Sequence, residues 1–210
     1  MLTSLDPRVT RLHLPDNDFT PMEPKQELDQ FETYEVFYQK RENSPYTYVG
    51  PVHAPTADIA FLFAKEQYSR RASCAGMWVT RTTSIQVTPY AGDGKSVYTI
   101  LHPEDLTGSA SLEETYEIFH LKKRGKAHTR AGRVVATSYQ QALKKAKEQF
   151  GDLLPVVNVW VVKTQHVLQS AEEDKDMWAT LPEKKYREPT AYKVLDKISK
   201  FKEAQKNTPD

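Results

Sequence analysis

Thr33-Tyr-Glu-Val-Phe37 recurs as Thr115-Tyr-Glu-Ile-Phe119, and Ala64-Lys-Glu-Gln-Tyr68 recurs as Ala146-Lys-Glu-Gln-Phe150. Gly50 maps onto Gly132 and Trp78 onto Trp160. Every pair is separated by 82 positions with no gap, and 17 of the 53 positions from 33 to 85 are identical to their mates. Unrelated segments of ordinary composition would share roughly three. The chain therefore carries an internal duplication, and its fold must be built from two copies of one unit.

Each unit reads as strand–strand–helix–strand. Thr33–Lys40 and its mate Thr115–Lys122 hold the β-branched and aromatic residues that suit a pleated surface. A polar loop follows, then a short strand around Tyr48–His53 or Arg130–Val135. Asp58–Arg71 and Gln140–Phe150 read as helices, with Thr56 as one N-cap and Thr137 or Ser138 as the other. A strand closes each unit, around Met77–Thr82 or Val157–Thr164. A core is marginal in a unit of this size, so the expected fold is α+β, with two tandem ββαβ modules packed as a pseudo-two-fold dimer. The expected organisation is an extended N-terminal arm over 1–31, a first module over 32–86, a linker over 87–113, a second module with a C-terminal motif over 114–198, and a frayed lysine-rich tail over 199–210.

Composition bounds the function. The 210 residues hold 29 basic and 28 acidic side chains, a net charge of +1, which gives no electrostatic footprint for nucleic acid or an anionic membrane. The first ten residues contain acid and proline and no apolar core, unlike a secretory signal. The longest apolar run, Ile59 to Ala64, is far too short to span a bilayer. A cytoplasmic protein is expected.

Catalytic and metal-binding patterns are thin. A single cysteine, Cys74, excludes an internal disulfide and any multi-cysteine metal site, and it reads as a small core residue or a loop thiol. Glu117-Ile-Phe-His120 matches the Glu-x-x-His pattern of di-iron proteins, but that pattern needs a helix. On a strand, residues three apart point to opposite faces. Gly92-Asp-Gly94-Lys95 lacks phosphate-loop spacing. No nucleophile–base pair remains, so no active site, metal or cofactor is expected on this chain.

The duplication supplies an internal control. Both helices share Ala60/Ala142, Phe61/Leu143, Ala64/Ala146 and Tyr68/Phe150, which should face each unit's own sheet. The second helix is polar elsewhere, at Gln141, Lys144 and Lys145, where the first has Ile59, Leu62 and Phe63. Those three residues need a cover, either the chain's own arm or tail or another subunit. Arg70 and Arg71 have no counterpart in the second copy. They complement the helix dipole or recognise a carboxylate on a partner.

The first copy, with Tyr34-Glu-Val-Phe37, Gly50, His53-Ala54, Tyr68-Ser-Arg70-Arg71 and Trp78-Val79, resembles the PaaB family, the small B subunit of the multicomponent phenylacetyl-CoA epoxidase. Lys185-Tyr-Arg187-Glu-Pro189-Thr-Ala-Tyr192 is similar to that family's C-terminal motif, and the first copy lacks it. The resemblance implies a non-catalytic connector in aerobic phenylacetate degradation. Its partners would be a catalytic di-iron subunit and a structural subunit. Partner contacts are therefore expected on Ile59, Leu62 and Phe63 from the comparison of the two helices, on Arg70 and Arg71 at the end of the first, and on Tyr186, Arg187 and Tyr192 of the C-terminal motif. The family subunit is a single module, so the tandem form departs from it. The alternative is an RNA- or ribosome-associated small α+β binding module, against which the near-zero net charge argues.

Overall fold

A computed structural model describes residues 6–12, 31–70, 73–92, 94–101, 112–151, 155–178 and 194–206. After a helical turn α1 (Pro7–Thr10), the first copy runs β1 (Glu32–Gln39), β2 (Thr47–Ala54), α2 (Ala57–Ala64) with a π-helical extension (Lys65–Ser69), β3 (Gly76–Arg81) and β4 (Ile85–Val87). The turn α3 (Val97–Ile100) leads to the second copy, which runs β5 (Glu114–Leu121), β6 (Thr129–Ala136), α4 (Tyr139–Phe150), β7 (Asn158–Lys163) and β8 (Val167–Gln169). A 3₁₀ segment (Glu172–Trp178) and α5 (Leu195–Lys206) follow. No helix among the described residues is long and apolar enough to cross a membrane.

The elements start where the sequence expects. The Thr56 hydroxyl accepts from the Ile59 amide at 3.4 Å, and the Ser138 hydroxyl accepts from the Gln141 amide at 3.2 Å. At the second helix the Gln141 side chain also reaches back to accept from the Thr137 amide, at 2.6 Å. Gly50 and Gly132 recur because an aromatic ring from the helix end lies against them. A Cβ at Gly50 would overlap Tyr68, and one at Gly132 would overlap Phe150.

All eight strands form one antiparallel sheet in the order β4-β7-β5-β6-β2-β1-β3-β8. Exchanging every strand for its mate 82 residues away reverses this order onto itself. The two halves meet where Thr47 pairs with its own mate Thr129. The bonds flanking that pair are reciprocal: the Tyr48 amide donates to the His128 carbonyl and the Arg130 amide to the Tyr46 carbonyl, both at 2.8 Å. Each copy also has a register shift at the same place, between Val36 and Phe37 and between Ile118 and Phe119.

Each copy has a fourth strand that the ββαβ expectation lacks, and this strand crosses over. Strand β4 of the first copy pairs with β7 of the second, and β8 of the second pairs with β3 of the first. Three residues after a 3₁₀ turn are too short to show a period. Residues 87–113, expected as a linker, also contribute Ala91, Val97 and Tyr98 to the second copy's core. The tail expected to fray from 199 onward is helical through Lys206, with an exposed surface.

Two of the three cores lie between a helix and its sheet, around Ala60, Phe61 and Ala64 and around Ala142, Leu143 and Ala146. The third joins the copies and is made of Phe37, Trp78, Ile85, Val87, Phe119, Trp160, Val162 and Val167. The Phe37 and Phe119 rings stack at 4.1 Å, although β1 and β5 are separated in the sheet by β2 and β6. The sheet therefore curls until its two halves face each other.

Candidate partner-binding surface

The core between the copies contains charge. Glu35 and Glu117 are mates and both are fully buried. Glu35 accepts from the Tyr48 hydroxyl at 2.7 Å and the Thr82 hydroxyl at 3.0 Å, and Arg11 Nη1 lies 3.1 Å from it. Glu117 accepts from Arg130 Nε and Arg133 Nε, each at 2.7 Å, and from the Thr164 hydroxyl at 3.4 Å. Burial and the Glu35 carboxylate hold the Tyr48 phenol protonated, well above its ordinary range.

Each tryptophan of this core sits between a flat ring and a guanidinium. Tyr46 stacks on Trp78 at 4.0 Å, with Arg130 over the same indole at 5.3 Å. His128 stacks on Trp160 at 3.9 Å, with Arg11 over it at 4.4 Å. Tyr48 occupies the position corresponding to Arg130, so the first copy lacks that arginine, and the N-terminal segment supplies Arg11 in its place. Sequence reasoning missed this array. Its signal was an acid retained in both copies inside an apolar strand.

The Glu-x-x-His pair separates as strand geometry requires. Glu117 faces the arginines, while His120 lies on the other face, where Tyr98 Oη is 2.7 Å from its Nε2. Among the described residues no group of three His, Cys, Asp or Glu side chains could hold a metal ion. Cys74 is half-buried, bonds the Gly76 carbonyl at 3.3 Å, and has its thiol pushed up to about 11 by burial. It is therefore a thiol rather than a thiolate near neutral pH.

The surface singled out by comparing the two helices is divided. Ile59 is half-buried and packs on the first core together with Met177 and Trp178 from the C-terminal 3₁₀ segment. Trp178 Nε1 donates to the Ser69 hydroxyl at 3.0 Å, which anchors that segment beside the helix end. Leu62 and Phe63 remain 51% and 49% exposed. Phe63 lines a shallow groove with Pro51, His53 and Gln67. In the second copy Lys144 is exposed at the position of Leu62, while Lys145 donates to the Val135 carbonyl at 2.6 Å. Arg70 is exposed at the end of the π-helical extension. Arg71, Tyr186, Arg187 and Tyr192 lie outside the described residues.

The phenylacetic acid degradation B model matches this chain twice, over residues 30–97 and 113–199. The chain belongs to that family. The B subunit of 1,2-phenylacetyl-CoA epoxidase from Escherichia coli (strain K12) is 31% identical over 84 residues. The match covers 88% of the E. coli protein and 40% of this chain, so about one copy of the unit accounts for the relative. No solved structure matches the chain. Membership in the phenylacetic acid degradation B family links the protein to phenylacetate catabolism and to an epoxidase complex.

Proposed function

We propose that this chain is the non-catalytic connector of a phenylacetyl-CoA epoxidase-type multicomponent oxygenase, bridging a catalytic di-iron subunit and a structural subunit in the cytoplasm. The observation that carries this reading is the double family match to two copies merged in a single sheet. The reciprocal Thr47–Thr129 pairing and the exchanged strands β4 and β8 support an arrangement as a fused pseudo-two-fold dimer. One chain would then do what two single-module chains do by associating. The proposed contact with a partner comprises the half-exposed Leu62 and Phe63, Ile59 of the same helix and the exposed Arg70. Arg71, Tyr186, Arg187 and Tyr192, outside the described residues, are proposed as further contacts from their place in the sequence motifs.

Co-expression of a tagged chain with the di-iron and structural subunits of its own host tests the reading. Stoichiometric co-purification of both subunits, with epoxidation of phenylacetyl-CoA only when all are present, is the expected result. A chain that elutes alone, or with ribosomal material in their place, overturns it.

A further inference from the structure

The β5–β6 hairpin carries Lys122, Lys123, Arg124 and Lys126, all exposed. Three of them, with Lys95 from the segment between the copies, line a cleft of about 500 Å³ together with Pro155 and Val157. No carboxylate is among its described lining residues. That size falls in the range of small-molecule sites.

The other copy shows that the hairpin does not require Arg124 and Lys126. The β1–β2 hairpin makes the same turn. Asn43 and its mate Gly125 have φ of 64° and 75°, and the Ser44→Arg41 and Lys126→Lys123 backbone bonds are 3.0 and 3.1 Å. Lys40 and Arg41 keep the charge of Lys122 and Lys123, but Glu42 stands where Arg124 stands and Ser44 where Lys126 stands, and the cleft beside it is lined by Glu42 and Glu172. The backbone is shared, while the second hairpin has two further cations and one carboxylate fewer. Four cations gathered from two segments in a chain of net charge +1 are a local concentration, and a concave one, which suits a compact polyanion better than a broad protein surface.

We propose that this cleft binds the phosphate groups of an acyl-CoA thioester. The choice of a CoA thioester among polyphosphorylated ligands rests on the function proposed above. The lysines and Arg124 would neutralise the diphosphate and ribose phosphate, with the adenine or pantetheine against Pro155 and Val157. The protein would thereby raise the local concentration of substrate beside the catalytic subunit.

Calorimetry on the full chain alone, with phenylacetyl-CoA, CoA, pyrophosphate and phenylacetate as separate titrants, tests this. Saturable binding of phenylacetyl-CoA and CoA is expected, with weaker binding of pyrophosphate and none of phenylacetate. Raised salt should weaken it. Lys122→Glu/Lys123→Glu should lose affinity by about tenfold or more, while Lys197→Glu/Lys200→Glu on the exposed α5 should not change it. Circular dichroism should show both variants folded. Absence of binding at millimolar phenylacetyl-CoA, equal loss in the α5 variant, or pyrophosphate binding as tightly as CoA would each overturn the proposal. So would loss of partner co-purification in the hairpin variant without any CoA binding, since the cleft would then dock an acidic protein surface. Because binding is measured on the chain alone, failure here leaves the co-purification result untouched.

Discussion

Phe37 and Phe119 are mates in the duplication, and their rings stack on each other at 4.1 Å. Contacts between mates are expected of the fused pseudo-two-fold dimer proposed above. Around this pair Trp78, Ile85, Val87, Trp160, Val162 and Val167 form a core that belongs to neither copy. Phe37→Ala should therefore cost about 3–5 kcal/mol. Both halves should unfold in one transition, read by denaturant titration with fluorescence and circular dichroism. Two separate transitions would mean the copies are independent.

The exchanged strands carry the same logic to the level of fragments. Residues 31–101 alone would lack β8 beside β3 and would leave Trp78, Ile85 and Val87 uncovered. This fragment should self-associate or fail to fold, whereas co-expression with residues 112–206 should give a one-to-one complex. Light scattering after size exclusion measures both. A monomeric, well-folded 31–101 fragment would contradict the shared core.

Arg11 reaches across the two copies, with Glu35 of the first on one side and Trp160 of the second on the other. Removing its charge leaves a fully buried carboxylate with, among the described residues, the Tyr48 and Thr82 hydroxyls as its hydrogen-bond donors. Arg11→Ala should destabilise the protein by about 3 kcal/mol, in the range for breaking a buried pair from one side. Adding Glu35→Gln should recover part of the loss, because the group left behind is then neutral. If the double variant is no more stable than Arg11→Ala, the carboxylate is not the source of the cost.

The duplication made much of this legible. A gap-free offset fixes which residues are mates, so the strand–strand–helix–strand run of each copy, the Thr56 N-cap and its counterpart at Thr137 or Ser138 followed from the chain alone, whereas the aromatic rings against Gly50 and Gly132 did not. The crossing of β4 and β8 did not, because three-residue strands carry no period and nothing local says which sheet they join. Glu35 was hidden for a different reason. Tyr34, Glu35, Val36 and Phe37 are all buried, so the strand has an interior on both faces and the alternation that separates core from surface is lost. At the candidate site, comparison of the two helices pointed to Leu62 and Phe63, which are exposed, but gave no sign that Met177 and Trp178 pack on the same core as Ile59.

Acid should weaken the fold through two histidines. Burial holds both His120 and His128 down to about 4, and Arg11 adds to the effect at His128. In the unfolded chain a histidine titrates near 6.5. Below that pH the unfolded state takes up protons that the folded state refuses, so stability falls from about pH 6.5 toward pH 4. Melting temperatures measured from pH 7.5 to pH 4.5 should decline over that window. His128→Tyr should reduce the slope, since its mate Tyr46 already stacks on Trp78 at 4.0 Å in the same way. An unchanged slope would place the proton uptake elsewhere.

Phe63 offers the sharpest separation of binding from folding. It is half-exposed, and its mate Lys145 sits at the same point of an equivalent helix. A lysine is therefore compatible with the local fold, and Phe63→Lys should change stability by less than about 0.5 kcal/mol, as surface substitutions usually do. The first helix buries Ala60, Phe61 and Ala64 and retains them in the variant. What changes is an apolar side chain worth roughly 1.5–3 kcal/mol when fully buried against a partner. Adding a charge there should weaken co-purification of the partner subunits by at least about tenfold, and Leu62→Lys should act in the same direction. Ile59→Lys is the contrast: Ile59 packs on the core with Met177 and Trp178, so that change should lower the melting temperature as well. Full recovery of the partners with Phe63→Lys would take this helix face out of the interface, and unfolding of that variant would show that the two copies use this position differently.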